Sequence, residues 1–228
     1  AQRLYNYVSQ HWFMFATPLL SNGGTERGLP ISCFLNYVDD SREGITEHYT
    51  ENAYLSSYGG GIGGTWSDIR SAGTKTSKGS ESTGVIPFMK VVDAEMLAFS
   101  QGITRRGSYA SYLHMSHPEI EEFLDIRKPT GGDTNRKCLN LHHGIVIPDK
   151  FMEVIHRATR EEGFDDSWEL IDPHTKRVVR KVSAKKLWQK ILETRVATGE
   201  PYISFIDTIQ KSLPESQKKI GLKVHHTN

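Results

Sequence analysis

Hydrophobic and polar positions along the chain switch repeatedly between helical and strand spacing. Residues 2–14 carry apolar positions at helical spacing, and Thr17-Pro18 is expected to end that helix, because a residue before proline avoids the α region. A Gly, Ser and Asn-rich loop over 21–28 leads to an apolar run over 31–38 that reads as a strand. Residues 41–58 read as a helix running into a glycine loop at 59–64, and 65–69 as a short strand. The span 73–83 is polar and Gly/Ser/Thr-rich, a surface loop. An apolar helix is predicted over 85–99, a loop over 102–107 and a strand over 109–115. Ser116-His117-Pro118-Glu119 has the spacing of a capping box, so a helix should run from there to about residue 128.

After a polar loop over 129–136, residues 138–147 read as a strand and Asp149 as the cap of the next helix. The runs 168–170 and 178–182, joined across Asp172-Pro173-His174-Thr175, predict a β-hairpin. Residues 184–198 form a strongly amphipathic helix with Gly199 at its end. A strand over 202–206 follows, and 220–224 is strand-like again. This alternation of strand and helix predicts an α/β fold with a largely parallel sheet, open or closed into a barrel. No internal repeat or low-complexity stretch interrupts it.

Bulk composition narrows the chemistry. At 228 residues the chain can bury a substantial core. With 37% hydrophobic and 24% charged residues it has a globular composition. No apolar run is long enough for a membrane span, and the first residues, lacking an initiator Met, do not resemble a signal peptide. The net charge of +1 demands neither nucleic acid nor an anionic membrane, so any phosphate-binding surface must be local. Two cysteines, Cys33 and Cys138, are too few for a disulfide scaffold, and a reducing cytoplasm is the expected location. No Cys/His set has zinc spacing, and neighbouring histidines in a strand point to opposite faces, so His142-His143 and His225-His226 are poor chelators. No metal site is expected.

Three features could carry chemistry. The run from Gly59 to Gly64 could cradle a phosphate on bare backbone or be a structural turn. It is neither a Walker A loop nor a dinucleotide fingerprint. The loop Gln101-Gly102-Ile103-Thr104-Arg105-Arg106-Gly107 offers two guanidiniums suited to phosphate, or simply a solvated basic surface. Cys33, inside a predicted strand, is either a small buried hydrophobe or a working thiol.

The order of the motifs is more specific than any one of them. Ala16-Thr17-Pro18, Pro30-Ile31-Ser32-Cys33, Gly59-Gly60-Gly61-Ile62-Gly63, Asp68-Ile69-Arg70, Ser100-Gln101-Gly102 and Arg105-Arg106-Gly107 resemble, in series, the catalytic (large) subunit of ribonucleotide reductases. Leu139-Asn140-Leu141-His142-His143-Gly144 and Thr198-Gly199-Glu200-Pro201-Tyr202 extend the resemblance over the whole chain.

The resemblance implies the first half of a ten-stranded α/β barrel, with residues 1–228 as an incomplete barrel domain lacking the N-terminal helical region, the ATP-cone and the second half. It implies reduction of the ribose 2′-hydroxyl of a ribonucleotide by thiyl-radical chemistry. Cys33 matches the first redox cysteine, whose disulfide partner would lie in the second half, whereas Cys138 matches no redox position and is expected to be structural. Thr17 and Ser32 match substrate contacts. Gly60 and Gly61 match small residues over which the nucleotide packs. Asn228 matches the asparagine of an Asn-x-Cys-x-Glu finger loop, with the radical Cys and catalytic Glu expected two and four residues further on.

Asp40 and Arg70 match contacts of a deoxynucleotide effector site at a dimer interface. Gln101 and Arg105 match the loop that reports the effector to the substrate site. Without the family, Asp40 reads as part of a helix N-cap region and Arg70 as a surface ion pair.

The implied partners are a ribonucleotide substrate, dNTP and ATP effectors, a complementary second half, a second copy of the large subunit, a small radical-generating subunit, and thioredoxin or glutaredoxin. No cofactor is expected on this chain. The radical would come from a di-metal small subunit, with adenosylcobalamin as the alternative source. Activity is expected only with the second half, and the isolated chain should not turn over. The competing expectations are a non-catalytic deoxynucleotide-binding and dimerisation module, or an inactive fragment.

Overall fold

A computed structural model describes residues 1–26, 28–99 and 106–228. Five strands form one parallel sheet in the order β1-β2-β3-β4-β7: β1 (Cys33–Tyr37), β2 (Gly61–Thr65), β3 (Ser108–His114), β4 (His142–Ile147) and β7 (Tyr202–Phe205). The predicted hairpin is present as β5 (Ser167–Ile171) and β6 (Val178–Ser183), an antiparallel pair outside the main sheet. The helices are α1 (Gln2–Ser9), α2 (Thr17–Asn22), α3 (Arg42–Ser57), α4 (Ile86–Ala98), α5 (Ile120–Phe123), α6 (Asp149–Arg160), α7 (Ala184–Thr198), α8 (Ile206–Ser212) and α9 (Glu215–Lys219).

Strand periodicity sorts the sheet into two faces. The row Ile62, Tyr109 and the row Leu113, Ile145 point to one side, where they join Val38, Trp66, Met89, Val92, Phe123, Phe151 and Ile191 in the core. Helices α3, α4, α6 and α7 supply most of the cover. The other side carries Cys33, Leu35 and Tyr37 of β1, Gly61 and Gly63 of β2, Ala110 and Tyr112 of β3, and His142 and Gly144 of β4. Its apolar content is slight: Ala110, Tyr112 and Val146 pack with Ile206. Leu35 and Tyr37 are exposed.

Several expectations are corrected by long-range partners. The glycine run is not a loop: Gly61 to Thr65 form β2, buried between β1 and β3. Glycine is needed there by packing, since a Cβ on Gly64 would collide with the Tyr109 hydroxyl and stand 2.9 Å from Asn36 Oδ1. The chain turns at 66–69 instead of making a strand. Thr17-Pro18 begins α2 rather than ending a helix, with proline in the first turn, and α1 stops at Ser9.

The capping box at Ser116 does not form, and α5 is a single turn. Glu119 instead accepts from the backbone N–H groups of Ala72 (3.2 Å) and Val85 (3.1 Å) and pairs with Arg136. Asp149 is the first residue of α6, not its cap; its N–H donates to Asp207 of α8 at 2.7 Å. Strand β4 starts four residues later than expected, because the N–H groups of Asn140 and Leu141 donate to buried Asp93 on α4. Residues 220–224 pair with no strand. The end of α7 is as expected, with Gly199 in the left-handed region at φ 81°.

Candidate active site on the uncovered face of the sheet

Cys33 opens β1, in register with Gly61 of β2, and its thiol is exposed. In this structure it is not packed as a buried hydrophobe. Ser32 is half-buried, its Oγ 3.3 Å from Cys33 Sγ, while its carbonyl accepts from Gly61 N at 2.7 Å. Cys138 differs sharply. It is fully buried, and burial pushes its thiol up to about 12, which makes it inert at neutral pH.

The tail brings the far end of the sequence to the same corner. The Asn228 carboxamide donates to the Gly61 carbonyl and, at 3.4 Å, to that of Phe34. Thr227 Oγ1 lies 2.9 Å from the Tyr112 hydroxyl. Gly63 leaves room for this crossing: a Cβ there would meet the Thr227 carbonyl and stand 3.0 Å from Asn228 Cα. Exposed thiol, neighbouring hydroxyl, bare backbone and a carboxamide thus share one end of the uncovered face. Such a set suits a polar ligand with several hydroxyls lying flat on β2.

The other expected substrate residues are placed less uniformly. Thr17 is the first residue of α2 and is exposed. Gly60 is buried; its missing Cβ is explained by Leu55 O at 2.8 Å and the Phe34 ring at 2.9 Å, so protein packing alone requires glycine there.

A second cleft of about 750 Å³ lies at the start of α3, lined by Asp40, Ser41, Arg70, Thr76, Glu81 and Phe88 among others. Asp40 and Arg70 are brought together, with Arg70 Nε donating to both carboxylate oxygens at 2.9 and 3.1 Å and both residues only partly exposed. The helix cap is Ser41, which accepts from Gly44 N, so Asp40 is free of that duty. His174 from the β5–β6 turn adds Nδ1 at 3.3 Å from Asp40. Nearby, Asp172 accepts from Ser71 N and Oγ, Thr74 Oγ1, and Thr175 N and Oγ1, tying the hairpin to the loop that walls the cleft. Burial acts to raise the Asp172 carboxyl, but these donors outweigh it and hold it well below the usual range. Gln101 and Arg105 lie outside the described residues.

Two polar groupings have contacts that the sequence did not foretell, although their residues stood in the quoted motifs and histidine pairs. Glu200 faces both His142 and His143 through their Nδ1 atoms, with Arg127 Nε at 3.3 Å. Burial raises the Glu200 carboxyl; the histidine bonds and Arg127 win and keep it ionised. Its partners stand about sixty residues away in the chain, so only the fold could reveal them. The other is His226, considered below. Among the described residues no group of three or more His, Cys, Asp or Glu could hold a metal ion, and no helix is long and apolar enough to cross a membrane.

A parallel α/β sheet with helices on one face, its other face crossed by an asparagine-bearing tail beside an exposed cysteine, is the architecture of part of an α/β barrel. The profile of the family described as "Ribonucleotide reductase, barrel domain" matches residues 31–228. The chain belongs to the ribonucleotide reductase family. It is 48% identical to a ribonucleoside-diphosphate reductase large subunit of Invertebrate iridescent virus 6, over all of this chain and 23% of that protein. It is 40% identical to the large subunit of Invertebrate iridescent virus 3, over all of this chain and 42% of that one. Among solved structures, the class Id ribonucleotide reductase alpha subunit of Actinobacillus ureae superposes with a TM-score of 0.74 at 27% identity, covering all of this chain and 37% of that one. The chain therefore spans well under half of the relatives it matches. The barrel fold expected from the motifs holds.

Proposed function

We propose that the chain forms part of a ribonucleoside-diphosphate reductase and contributes one wall of its substrate site. Convergence of Cys33 and Asn228 on Gly61, from opposite ends of the sequence, carries this reading. Cys33 acts as one of two redox thiols. It protonates the departing 2′-hydroxyl and supplies reducing equivalents, and it closes a disulfide with a cysteine of the second half. A disulfide needs a Cβ separation of about 4 Å, which an exposed thiol on the barrel wall can meet. The Asn228 carboxamide orients a ribose hydroxyl over Gly61. Thr17 and Ser32 contact substrate, Gly61 keeps the floor low, and Gly60, whose missing Cβ faces Phe34 and Leu55, acts only by letting β2 pack close.

The Asp40–Arg70 cleft is assigned to a dNTP effector, with Gln101 and Arg105 carrying its identity to the substrate loop. Coupling of that kind requires one loop with two arrangements that both ligands bias. The partners in this reading are the second half of the large subunit, a second copy of it, a small subunit that supplies the radical from a di-metal centre, and thioredoxin or glutaredoxin as reductant. The location is cytoplasmic.

The test is reconstitution. The chain is mixed with a second-half polypeptide from a relative and with the small subunit, and conversion of ribonucleoside diphosphate to its deoxy form is followed. Turnover that needs both polypeptides and is abolished by Cys33→Ser supports the reading. Turnover unaffected by Cys33→Ser defeats it.

A second reading is favoured by the Asp40–Arg70 cleft, a cavity of about 750 Å³ with an arginine and several hydroxyl side chains on its walls. On that reading the chain is a non-catalytic deoxynucleotide-binding module. Equilibrium dialysis with dATP or dTTP separates the two: binding abolished by Arg70→Ala, with no reconstituted turnover, selects the module.

A further inference from the structure

The tail beyond α9 crosses the uncovered face as a strap, and most of it is exposed, including Lys223, His225, Thr227 and Asn228. His226 is the exception: it is 4% exposed. Its ring stacks on Tyr112, centroids 5.3 Å apart with 29° between planes. Nε2 lies 2.9 Å from the Asn36 carbonyl oxygen, and Nδ1 lies 2.8 Å from the carbonyl of Thr227. A carbonyl oxygen has two lone pairs, so Asn36 can serve both the sheet and the strap. Burying an imidazole is costly unless it is bonded; the neutral ring has one N–H, which as the Nε2 tautomer donates to Asn36, while Tyr112 covers its face. Gly63 beneath clears the space, since a Cβ would stand 3.1 Å from His226 Nδ1.

We propose that His226 is a positioning residue: clamped between Asn36 and Tyr112, it sets where the Asn228 carboxamide sits over Gly61. This rests on the reading of Asn228 as a substrate contact. The geometry explains why a side chain two residues upstream matters. Asn228 reaches the Gly61 and Phe34 carbonyls only if the backbone of Thr227 runs over Gly63, and His226 is the buried anchor of that path. The adjacent His225 makes only a loose ring contact with Tyr37, at 5.7 Å, and stays exposed.

The decisive measurement is the ¹⁵N–¹H signal of the Asn228 carboxamide in the 228-residue chain, with the buried Trp66 indole as a reporter of the fold. In His226→Ala the two Asn228 carboxamide protons should collapse to the shifts of a free side chain while the Trp66 indole stays in place. His226→Phe, which keeps the stacking ring but has no N–H, should show the same loss. His226→Gln, which restores a donor for Asn36, should recover the native signal, and His225→Ala should leave it unchanged. Native Asn228 shifts in His226→Phe overturn the proposal. So does a Trp66 indole that moves with Asn228 in all three variants, which would make His226 a general fold residue. Titrating cytidine diphosphate into the wild-type chain tests the underlying reading separately. If it moves neither Asn228 nor Cys33 while the variants behave as expected, the clamp stands and the substrate reading falls.

Discussion

The two faces of the main sheet share strands, register and backbone, yet they differ in how they are packed. The helix-covered face is closely packed and mainly apolar: Ile62, Leu113 and Ile145 show at most 1% exposure, and Ser111 and His143 are buried among them. The uncovered face holds glycines, a thiol, histidines and tyrosines, and its cover is a thin strap. The first face carries most of the core, and the second is the one on which the proposed substrate site lies.

The sharpest way to break this comparison is a matched pair of truncations. Leu113→Ala should lower unfolding free energy by about 3 kcal/mol, through lost burial and a residual cavity. Leu35→Ala on the uncovered face, at 55% exposure, should cost no more than about 0.5 kcal/mol. Urea denaturation of both variants decides it, and equal losses would show that the second face is packed like the first.

The next effects are acid ones. Buried His48 and His117 are held neutral, each lowered to about 4, chiefly by burial. A histidine with a depressed folded value binds its proton better when unfolded. Stability should therefore fall as pH drops from about 6.5 towards 4, by on the order of 2 kcal/mol per residue. His48→Gln should flatten that limb.

Below about pH 4 the carboxylates Asp172 and Glu200 take over. Both are held low by their donors, so their contribution is present above the ordinary carboxylate range and is lost as they protonate. Asp172→Asn should cost about 2 kcal/mol at pH 7, because it leaves donors from Ser71 and Thr175 without their acceptor. It should also reduce the acid sensitivity, read as the slope of thermal midpoint against pH.

A smaller contrast concerns the thiols. In the native chain at pH 7.5 Cys33 should be alkylated by iodoacetamide while Cys138 stays protected, and mass spectrometry of the labelled peptides reads this directly. Cys138 modified as fast as Cys33 would mean that the covered face opens easily. Smallest of all, Tyr112→Phe removes only the bond to Thr227 and should cost under about 1 kcal/mol.

Much of the fold was legible in the sequence, for local reasons. Helix α7 declared itself through its apolar stripe and Gly199, and the hairpin through two β-rich runs around a turn. Strands β1, β3, β4 and β7 were visible as short apolar runs between helices. The glycine run misled. Glycine signals conformational freedom, and whether that freedom serves a turn or lets Tyr109 and the tail lie close to a strand depends on neighbours far away in the chain. Ser116 and Asp149 misled for a related reason: each had the local spacing of a cap, but Glu119 was recruited by Ala72 and Val85, and the start of α6 by Asp207.

The same division holds for the site. Motif order drew attention to Asn228, Asp40 and Arg70 and added a role for Cys33, which its thiol had already marked out. That Cys33 is open and Cys138 closed, that Asp40 pairs with Arg70 rather than capping α3, and that His226 clamps the strap were decided only by tertiary structure. Sequence determines which groups a chain can offer and the period on which they repeat, since those follow from covalent geometry and local sterics. Burial, electrostatic partnership and approach within 3 Å depend on residues brought together by folding, as with the 167 positions that separate Gly61 from Asn228.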